Sequence, residues 1–356
     1  MGRKITTLRE LIGAIKDKAS LSKAAIISKP QTLSLNLAVL RVTTHSPAAV
    51  PPDDHHLSAL LSLGDGSRST ASAVISSLMD RLHRTGNSTV ALKCLLTIHH
   101  IIKRGPFILQ DQLSIFPANG GYNYLKLSAF RDGANAFTLV LSGWVRWYAR
   151  YIESLLSTSR VLGYFLCSIS NTIQREKLEE DKISSCLNQD LIRDVDSLVG
   201  VIEELCKVPD PRFLEGNKLL YEIITLLTND YLSTVNEILP RLSEFNERLS
   251  CLSFGESVEL VCALKRLKDS KEKLSVIFIV KKPSIETLWS LIDELKDKIE
   301  KLKVYNKEER KLLLTWGKNE KGSESARFGG RVVKSNDSVA FPSGRILVNK
   351  LSFDGF

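Results

Sequence analysis

The residues most able to do chemistry in this sequence are positively charged side chains near its start. Residues 1–41 hold 8 lysines and arginines against 2 acids, so 8 − 2 = +6 of the net charge of +9 lies there. Phosphates are small, dense anions, and they need several cationic donors on one exposed patch. The basic residues of this segment are Arg3, Lys4, Arg9, Lys16, Lys18, Lys23, Lys29 and Arg41. This charge predicts an anionic partner and leaves lipid headgroups and nucleic acid both open.

Motifs for catalysis are missing from the sequence. It contains no GxxxxGK[ST], no GxGxxG after a strand, no HExxH and no GxSxG. His99 and His100 are adjacent, so on a helix they point about 100° apart and cannot share a metal face. We expect one of them to pack inside with a backbone partner and the other to be partly exposed. The sequence therefore predicts no catalytic residue, no metal site and no cofactor.

The six cysteines stand singly within apolar helical patterns, without a CxxC pair or a short spacing to histidine. This spacing indicates buried thiols in a reducing cytosol rather than disulfides or a metal site. The longest unbroken apolar run, residues 276–280, is far shorter than the roughly 20 residues of a membrane span. Any membrane contact is therefore expected to be peripheral.

A chain of helices must position these residues. The organising stretch is residues 88–103, STVALKCLLTIHHIIK, where apolar residues recur at three- and four-residue steps and also occupy the remaining side. Asn87 and Ser88 can cap this helix, and Gly105 with Pro106 can end it. A helix that is apolar on most sides needs other helices around it, so the predicted fold class is all-α.

Further helices flank this one. Before it, apolar stripes predict helices over residues 3–16, 33–42, 56–63 and 70–84, with Asp53 or Asp54 as a cap for the third. After it, they predict helices over residues 107–116, 139–156, 187–207, 214–236, 238–273 and 285–303, with Pro240 and Pro283 among the breaks. The long helices near the end are typical of an antiparallel bundle.

The first predicted helix is basic and amphipathic. One face carries Ile5, Leu8, Leu11, Ile12 and Ile15, and the basic residues fall outside that face. Such a helix can lie in a lipid interface, or it can dock its apolar stripe on the core as many surface helices do. The opening residues also fit the loose pattern for N-terminal acylation, with Gly2 as acceptor.

Three segments carry a resemblance to a known family. They are LRELIGAIKDKASLSKAAI near the start, VALKCLLTIHHIIKRG over residues 90–105, and FRDGANAF…GWVRWYARYIESLL over residues 130–156. In this order and with these gaps they resemble the ANTH domain of the clathrin-assembly adaptors, the CALM-like family, in its plant form. The resemblance covers roughly residues 8–305. It implies an ENTH-like right-handed helical superhelix followed by a longer antiparallel helical bundle.

The resemblance divides the chain into four parts. Residues 1–20 are expected to form the basic amphipathic helix, residues 21–157 the superhelix, and residues 158–305 the bundle. Residues 306–356 are rich in Gly, Ser, Lys and Arg and are expected to be a flexible basic tail. The tail holds no Asp-Leu-Leu, Asp-Pro-Phe or Asn-Pro-Phe peptide, so clathrin binding is implied by the family resemblance alone.

The resemblance also implies which residues bind lipid. Family members hold a phosphoinositide such as phosphatidylinositol 4,5-bisphosphate with a lysine at a helix end and a Pro-Lys-x-Lys-His turn. Arg41 matches the first lysine and His56 the final histidine, whereas Asp53 and His55 stand where the turn has lysines. Headgroup binding is therefore expected to be weaker or altered in preference, because Asp53 repels phosphate. The candidate headgroup residues are Lys16, Lys18, Lys23, Lys29, Arg41, His55 and His56.

The implied partners are a phosphoinositide-containing membrane and clathrin heavy chain, with vesicle SNAREs and an adaptor complex as further candidates. The implied location is the cytoplasmic face of clathrin-coated pits, clathrin-coated vesicles and the Golgi apparatus. An alternative is a helical scaffold that binds SNAREs or other proteins and has degenerate lipid binding. Nucleic acid is not expected as a partner, because Trp144, Trp147, Tyr148 and Tyr151 fall on an apolar stripe that is typical of core packing.

Overall fold

The computed structural model describes residues 8–28, 30–115, 125–168, 182–210, 215–280 and 282–316. Regular structure within these ranges is helical, without a strand, which confirms the predicted all-α fold. The helices are α1 Leu8–Ile27, α2 Pro30–Val42, α3 Asp54–Ser62, α4 Arg68–Arg84, α5 Ser88–Arg104, α6 Phe107–Ile115, α7 Ala136–Leu162, α8 Asn188–Leu205, α9 Lys218–Arg248, α10 Phe254–Ile277 and α11 Pro283–Trp316. The handedness expected for the first part stays a prediction.

Helix α5 is the centre of the stack, as the sequence predicts. Every residue from 88 to 103 is buried, and α4 and α7 pack against it. The Asn87 side chain accepts a hydrogen bond from the backbone N–H of Val90 at 3.2 Å, which confirms the predicted cap. Gly105 lets the chain turn away, because a Cβ there would lie 2.5 Å from the Ile101 carbonyl oxygen.

The Phe130-Arg131-Asp132 motif anchors the start of α5. The backbone N–H and the hydroxyl of Ser88 donate to Asp132 Oδ2 at 2.9 and 3.0 Å. Arg146 Nη1, from α7, donates to the Phe130 carbonyl at 2.8 Å. The motif therefore ties the loop before α7 to the central helix, and its role is structural.

The later helices form an antiparallel arrangement. Arg241 of α9 meets Asp194 of α8 at 3.3 Å, and Arg248 reaches Asn188 at 3.4 Å, so α9 runs opposite to α8. In the same way, Trp147 Nε1 of α7 donates to the Glu204 carbonyl near the end of α8 at 3.0 Å.

Several predicted boundaries were wrong, among them residue 16, because α1 continues to Ile27. Pro240 lies inside α9 and does not end a helix, because the buried side chains of Ile238 and Leu242 continue the apolar stripe past it. Packing on both sides offsets the one backbone hydrogen bond that proline removes. The break comes instead at Leu249–Cys251, and Ser253 then caps α10 by accepting from the backbone N–H of Glu256 at 3.2 Å.

Helix α11 continues past residue 305, where the tail was expected to begin, and ends at Trp316. The compact unit that contains α1 to α10 ends at Lys303. The division at residues 157 and 158 stays a prediction. Residues 1–7, which include Gly2, and the tail from residue 317 lie outside the described residues.

The burial predicted for individual residues is confirmed for some of them and wrong for others. The aromatic residues Trp144, Trp147, Tyr148 and Tyr151 are at most 2 % exposed, which confirms that they pack in the core. The expectation of buried thiols holds for Cys94 and Cys167 but is wrong for Cys251 and Cys262, which are exposed.

The prediction for the histidine pair was wrong, because both rings are buried. His99 Nδ1 lies 2.8 Å from the Tyr148 hydroxyl, so its partner there is a side chain and not the backbone. Burial lowers the pKa of His100 to about 3, so this ring is neutral at pH 7.

A fully buried carboxylate joins the central helix to the later bundle. Asp230 of α9 lies 2.5 Å from Lys103 Nζ and 2.6 Å from His99 Nε2, both on α5. The Tyr151 hydroxyl of α7 donates to Asp230 Oδ2 at 2.6 Å. Burial alone would raise the pKa of Asp230, but His99 and Lys103 hold it well below its usual range. The carboxylate therefore stays ionised and links α9 to α5 and α7.

Replacing Asp230→Ala should lower the free energy of unfolding by about 3–5 kcal/mol, because Lys103 would keep a buried charge without its partner. Denaturant titration against the exposed-site control Asp269→Ala measures this. The pKa of Asp230 in the folded protein lies below its unfolded value of about 3.9. The loss of unfolding free energy in the Asp230→Ala variant should therefore have its full size above a pH of about 3.9 and become smaller as the pH falls further. Equal stability of the two variants at pH 7 would contradict the assignment.

Candidate membrane interface

Helix α1 turns its apolar stripe toward solvent. The side chains of this stripe are 45–75 % exposed: Leu8, Leu11, Ile12 and Ile15. Ile26, near the other end of the helix, is 83 % exposed. The expectation that this stripe docks on the core is therefore wrong. The exposed stripe is compatible with the alternative, a helix that lies in a lipid interface.

The opposite face of α1 docks through polar and small residues. Asp17 accepts hydrogen bonds from the backbone N–H groups of His45 and Ser46 at 2.9 and 3.1 Å, and His45 Nδ1 lies 2.6 Å from Asp17 Oδ1. One turn earlier, a Cβ on Gly13 would come within 3.1 Å of His45 Cβ, so glycine permits this close approach. Burial would raise the pKa of Asp17, but the bonds from His45 and Ser46 hold it below its ordinary value.

The lysines of α1 flank the apolar stripe. Lys16, Lys18 and Lys23 are all exposed. At 3.6 residues per turn, Lys16 and Lys23 share one flank and Lys18 lies on the other. Lys29, the fourth predicted lysine, lies outside the described residues. An exposed apolar stripe with lysines on both flanks is typical of helices that lie along an anionic surface.

The turn that resembles the family's lysine turn is built differently. Asp53 caps α3 by accepting from the backbone N–H groups of His55 and His56 at 3.0 and 3.3 Å, so its charge is used within the turn. Asp54 lies 3.2 Å from Arg104 Nη2. His55 is exposed and His56 half-buried, with ring centroids 5.7 Å apart. Arg41, another predicted cation, is exposed in the last turn of α2.

The loop between α2 and α3 is a fixed platform for α1. Lys93 of α5, 1 % exposed, donates to Thr44 Oγ1 at 3.2 Å and to the Pro47 carbonyl at 3.0 Å. Burial lowers the pKa of Lys93 to about 8. On another side, the Leu219 backbone N–H donates to the Ala49 carbonyl at 3.0 Å. The sequence did not predict a role for Lys93, because a single lysine in an otherwise apolar helix gives no sign of what it contacts.

Two arginines of α4 also join this region and were missed from the sequence. Arg81 Nη2 donates to the Thr43 carbonyl at 3.2 Å, and Arg81 and Arg84 line a cavity of about 460 Å³ together with Lys23. Lys16 and His45 line a second cavity of about 520 Å³. The available signal was the basic end of α4, Arg81-Leu82-His83-Arg84.

None of the helices in the described ranges has the length and apolar character needed to cross a membrane. In the same part of the chain, no group of three or more His, Cys, Asp or Glu side chains could hold a metal ion.

Comparison with known proteins assigns the family. The model described as "ANTH domain" matches residues 34–275. The chain belongs to the ANTH domain family. The matched residues begin inside α2, so α1 precedes them.

Three relatives of this ANTH protein come from Arabidopsis thaliana. "Putative clathrin assembly protein At4g40080" is 52% identical over 351 residues, which cover 97% of this chain and 95% of the relative. "Putative clathrin assembly protein At5g10410" is 34% identical over 82% of this chain and 86% of the relative. "Putative clathrin assembly protein At5g65370" is 29% identical over 82% of this chain and 99% of the relative.

Replacing Asp17→Ala should loosen α1 from the platform. Removing hydrogen bonds to a charged acceptor costs about 1.5–3 kcal/mol, so trypsin cleavage after the α1 lysines should become about tenfold faster or more. Limited proteolysis followed by mass spectrometry measures the rate, with Glu259→Ala on α10 as a matched loss of one exposed acid. Unchanged cleavage of α1 would mean that other contacts hold the helix.

Proposed function

We propose that this ANTH protein is a peripheral-membrane adaptor that binds phosphoinositide-containing membranes and promotes clathrin-coat assembly on them. The observation that carries the proposal is α1, whose apolar stripe is exposed between lysines while its polar face is docked. An interfacial helix sinks its apolar face roughly 5–10 Å into the boundary between headgroups and acyl chains. The docked Asp17 face then orients the rest of the protein on the bilayer.

The magnitudes favour reversible attachment. Each lysine near an anionic surface contributes about 1 kcal/mol, and each large apolar side chain contributes about 1.5–3 kcal/mol when fully buried. Three lysines and a partly buried stripe therefore supply on the order of 8 kcal/mol before ordering costs, which corresponds to roughly micromolar affinity at best. Such an adaptor can leave the membrane when the coat disassembles.

The clathrin part of the proposal is supported by the family and by the printed names of the relatives, which describe clathrin assembly. Clathrin heavy chain is the proposed partner, with vesicle SNAREs and an adaptor complex as further candidates. Clathrin-coated pits and clathrin-coated vesicles are the proposed locations, and the Golgi apparatus is a further one. Because such adaptors act by binding, we propose no catalytic activity.

A helical protein scaffold with degenerate lipid binding is the second candidate. The observation that favours it is the turn at residues 52–56, where Asp53 and Asp54 stand beside His55 and His56. Vesicle binding separates the two candidates, because a scaffold of this kind would not respond to phosphoinositide.

Reversing three charges together, Lys16→Glu, Lys18→Glu and Lys23→Glu, should weaken binding to anionic vesicles by at least about a hundredfold, because each lysine contributes about 1 kcal/mol and each new carboxylate is repelled. Co-sedimentation across a salt series measures this. Changing Asp53 or His55 should have a smaller effect. The matched control reverses Lys265, Lys273 and Lys282, which are exposed on or just after α10. Equal losses in both triple variants would indicate general charge rather than a site.

Replacing Leu11→Glu and Ile15→Glu should abolish stable vesicle binding while leaving the folded core unchanged, since both side chains are solvent-exposed. The same vesicles, incubated with purified clathrin, should sediment clathrin with the unaltered protein and not with this variant. Phe254→Glu with Leu187→Glu, two exposed apolar side chains outside α1, is the matched control. If clathrin still sediments with vesicles that the Leu11→Glu, Ile15→Glu variant does not bind, membrane binding through α1 is not needed to recruit clathrin. That result would contradict the proposal.

A further inference from the structure

An exposed apolar patch lies at the end of the bundle where α9 is followed by α10. Phe254, in the first turn of α10, is 77 % exposed, and the exposed Val258 follows it four residues later on the same face. Leu187, just before α8, is 72 % exposed. We call Leu187, Phe254 and Val258 the distal patch. Apolar side chains grouped on a surface in this way are typical of interaction sites.

Hydrogen bonds bring the starts of α8 and α10 together at the distal patch. Asn188, next to Leu187, accepts from Arg248 Nη1 at 3.4 Å. The Asn188 side chain also hydrogen-bonds the Glu256 carboxylate. Glu256 in turn accepts from the backbone N–H of Ser253 at 2.7 Å, in the capping box that begins α10. The three apolar side chains are therefore held close together at one end of the bundle.

The surroundings of the distal patch are acidic. Residues 244–259 hold four glutamates and one arginine, so their charge is 1 − 4 = −3. The arginine, Arg248, is mostly buried, since it pairs with Glu244 and donates to the Cys186 carbonyl at 2.7 Å. Glu247 and Glu259 are exposed. A partner that fits this patch therefore offers apolar side chains flanked by positive charge.

Helix α1 has this chemistry. Its apolar stripe is exposed and has lysines on both flanks. Residues 8–27 hold four basic and two acidic residues, so their charge is 4 − 2 = +2. One of the two acids, Asp17, is engaged by His45 of the loop between α2 and α3. The chain therefore carries two exposed apolar surfaces whose surroundings have opposite charge.

The two surfaces lie too far apart to meet within one chain. The backbone N–H of Leu219, at the start of α9, donates to Ala49 of the loop that receives α1, whereas the end of α9 lies beside the distal patch. From residue 219 to residue 248 there are 248 − 219 = 29 steps of about 1.5 Å, which make roughly 44 Å. Leu11 lies only about 9 Å along α1 from Asp17. While Asp17 is docked, the stripe cannot reach the distal patch of its own chain.

We propose that, in solution, the apolar stripe of α1 docks on the distal patch of a second copy of this chain. Each copy then keeps one surface of each kind available, so the contact is heterologous and repeats into open chains of molecules. Pairing of α1 with α1 would bring the lysines of two copies together, and pairing of two distal patches would bring glutamates together. Like charges oppose both symmetric arrangements.

This self-association goes beyond the proposed function and shares one element with it. The stripe of α1 cannot contact a bilayer and a second copy at the same time. Molecules in an open chain therefore have their stripes covered, apart from the molecule at one end, and a membrane competes with the distal patch for α1.

Two variants of the full chain separate the surfaces. Leu11→Glu with Ile15→Glu gives an α1-blocked variant, and Leu187→Glu with Phe254→Glu gives a patch-blocked variant. All four side chains are exposed, so the fold should be kept, and circular dichroism checks this. In sedimentation velocity from about 1 µM to about 100 µM, the unaltered protein should form species larger than dimers. Each variant alone should stay monomeric.

An equal mixture of the two variants should form a complex of two chains and nothing larger, because only one working surface of each kind remains. A mixture that stays monomeric, or an unaltered protein that is monomeric at every concentration, would overturn the proposal. Dimers of the patch-blocked variant alone would show that α1 pairs with α1, and dimers of the α1-blocked variant alone would show that two patches pair. Either result would also overturn it. Vesicle binding by the patch-blocked variant, which keeps α1, still tests the proposed function separately.

Charge exchange tests the complementarity of the two surfaces. Lys16→Glu with Lys23→Glu makes one flank of α1 acidic, and Glu247→Lys with Glu259→Lys makes the surroundings of the patch basic. Each variant alone should associate at least about tenfold more weakly than the unaltered protein. Mixing the two should restore the open chains, because every altered surface then meets one of opposite charge. A mixture that associates no better than its components would contradict the pairing of α1 with the distal patch.

The matched control for charge is Lys273→Glu with Lys282→Glu, which makes an equal change at exposed positions outside both surfaces. This variant should associate within about twofold of the unaltered protein. A loss as large as that of the Lys16→Glu, Lys23→Glu variant would show that net charge, and not the pairing of two surfaces, controls self-association.

Discussion

The ionised Asp17 carboxylate determines which face of α1 is docked and which face is exposed to solvent. It accepts two backbone hydrogen bonds and lies 2.6 Å from His45 Nδ1, so the polar face of α1 is the docked one. An amphipathic helix in water normally buries its apolar stripe, because that burial is its main source of stability. Here a charged anchor and a close-packed glycine reverse this preference. The apolar stripe is thereby left facing outward.

The anchor works because the surface that receives it is rigid. Lys93 reaches the loop after α2 from the central helix, and α9 contacts the same loop through Leu219. α9 is in turn fixed to α5 by Asp230, whose charge is satisfied by Lys103 and His99. Buried charges of this kind are costly to desolvate and contribute through geometry as much as through stability. They connect the loop that receives α1 to the central helix and to α9, within one compact unit.

The sequence predicted the fold well and the site only in part. Periodicity and caps placed α5 within one residue and predicted the aromatic core of α7, since both depend on local pattern. It predicted a break at Pro240, because tertiary packing overrode a local signal. It found the lysines of α1 but not the direction of the stripe, which depends on a contact between Asp17 and a loop 28 residues away. Arg81 and Lys93 were missed for the same reason, since nothing in their own helices marks the loop they reach.

The acidic turn before α3 follows from the same geometry. A helix N-terminus has free backbone N–H groups, and a carboxylate at Asp53 satisfies two of them, which a lysine cannot do. A turn optimised in this way gains local stability and loses attraction for phosphate. If the protein still binds headgroups, the cations must come from elements that the turn does not constrain. The flank of α1 meets this condition, because Lys16, Lys18 and Lys23 are exposed on a helix that the turn does not constrain. At position 53 the helix cap and a phosphate-binding lysine exclude each other, and the residue present is the one that caps the helix.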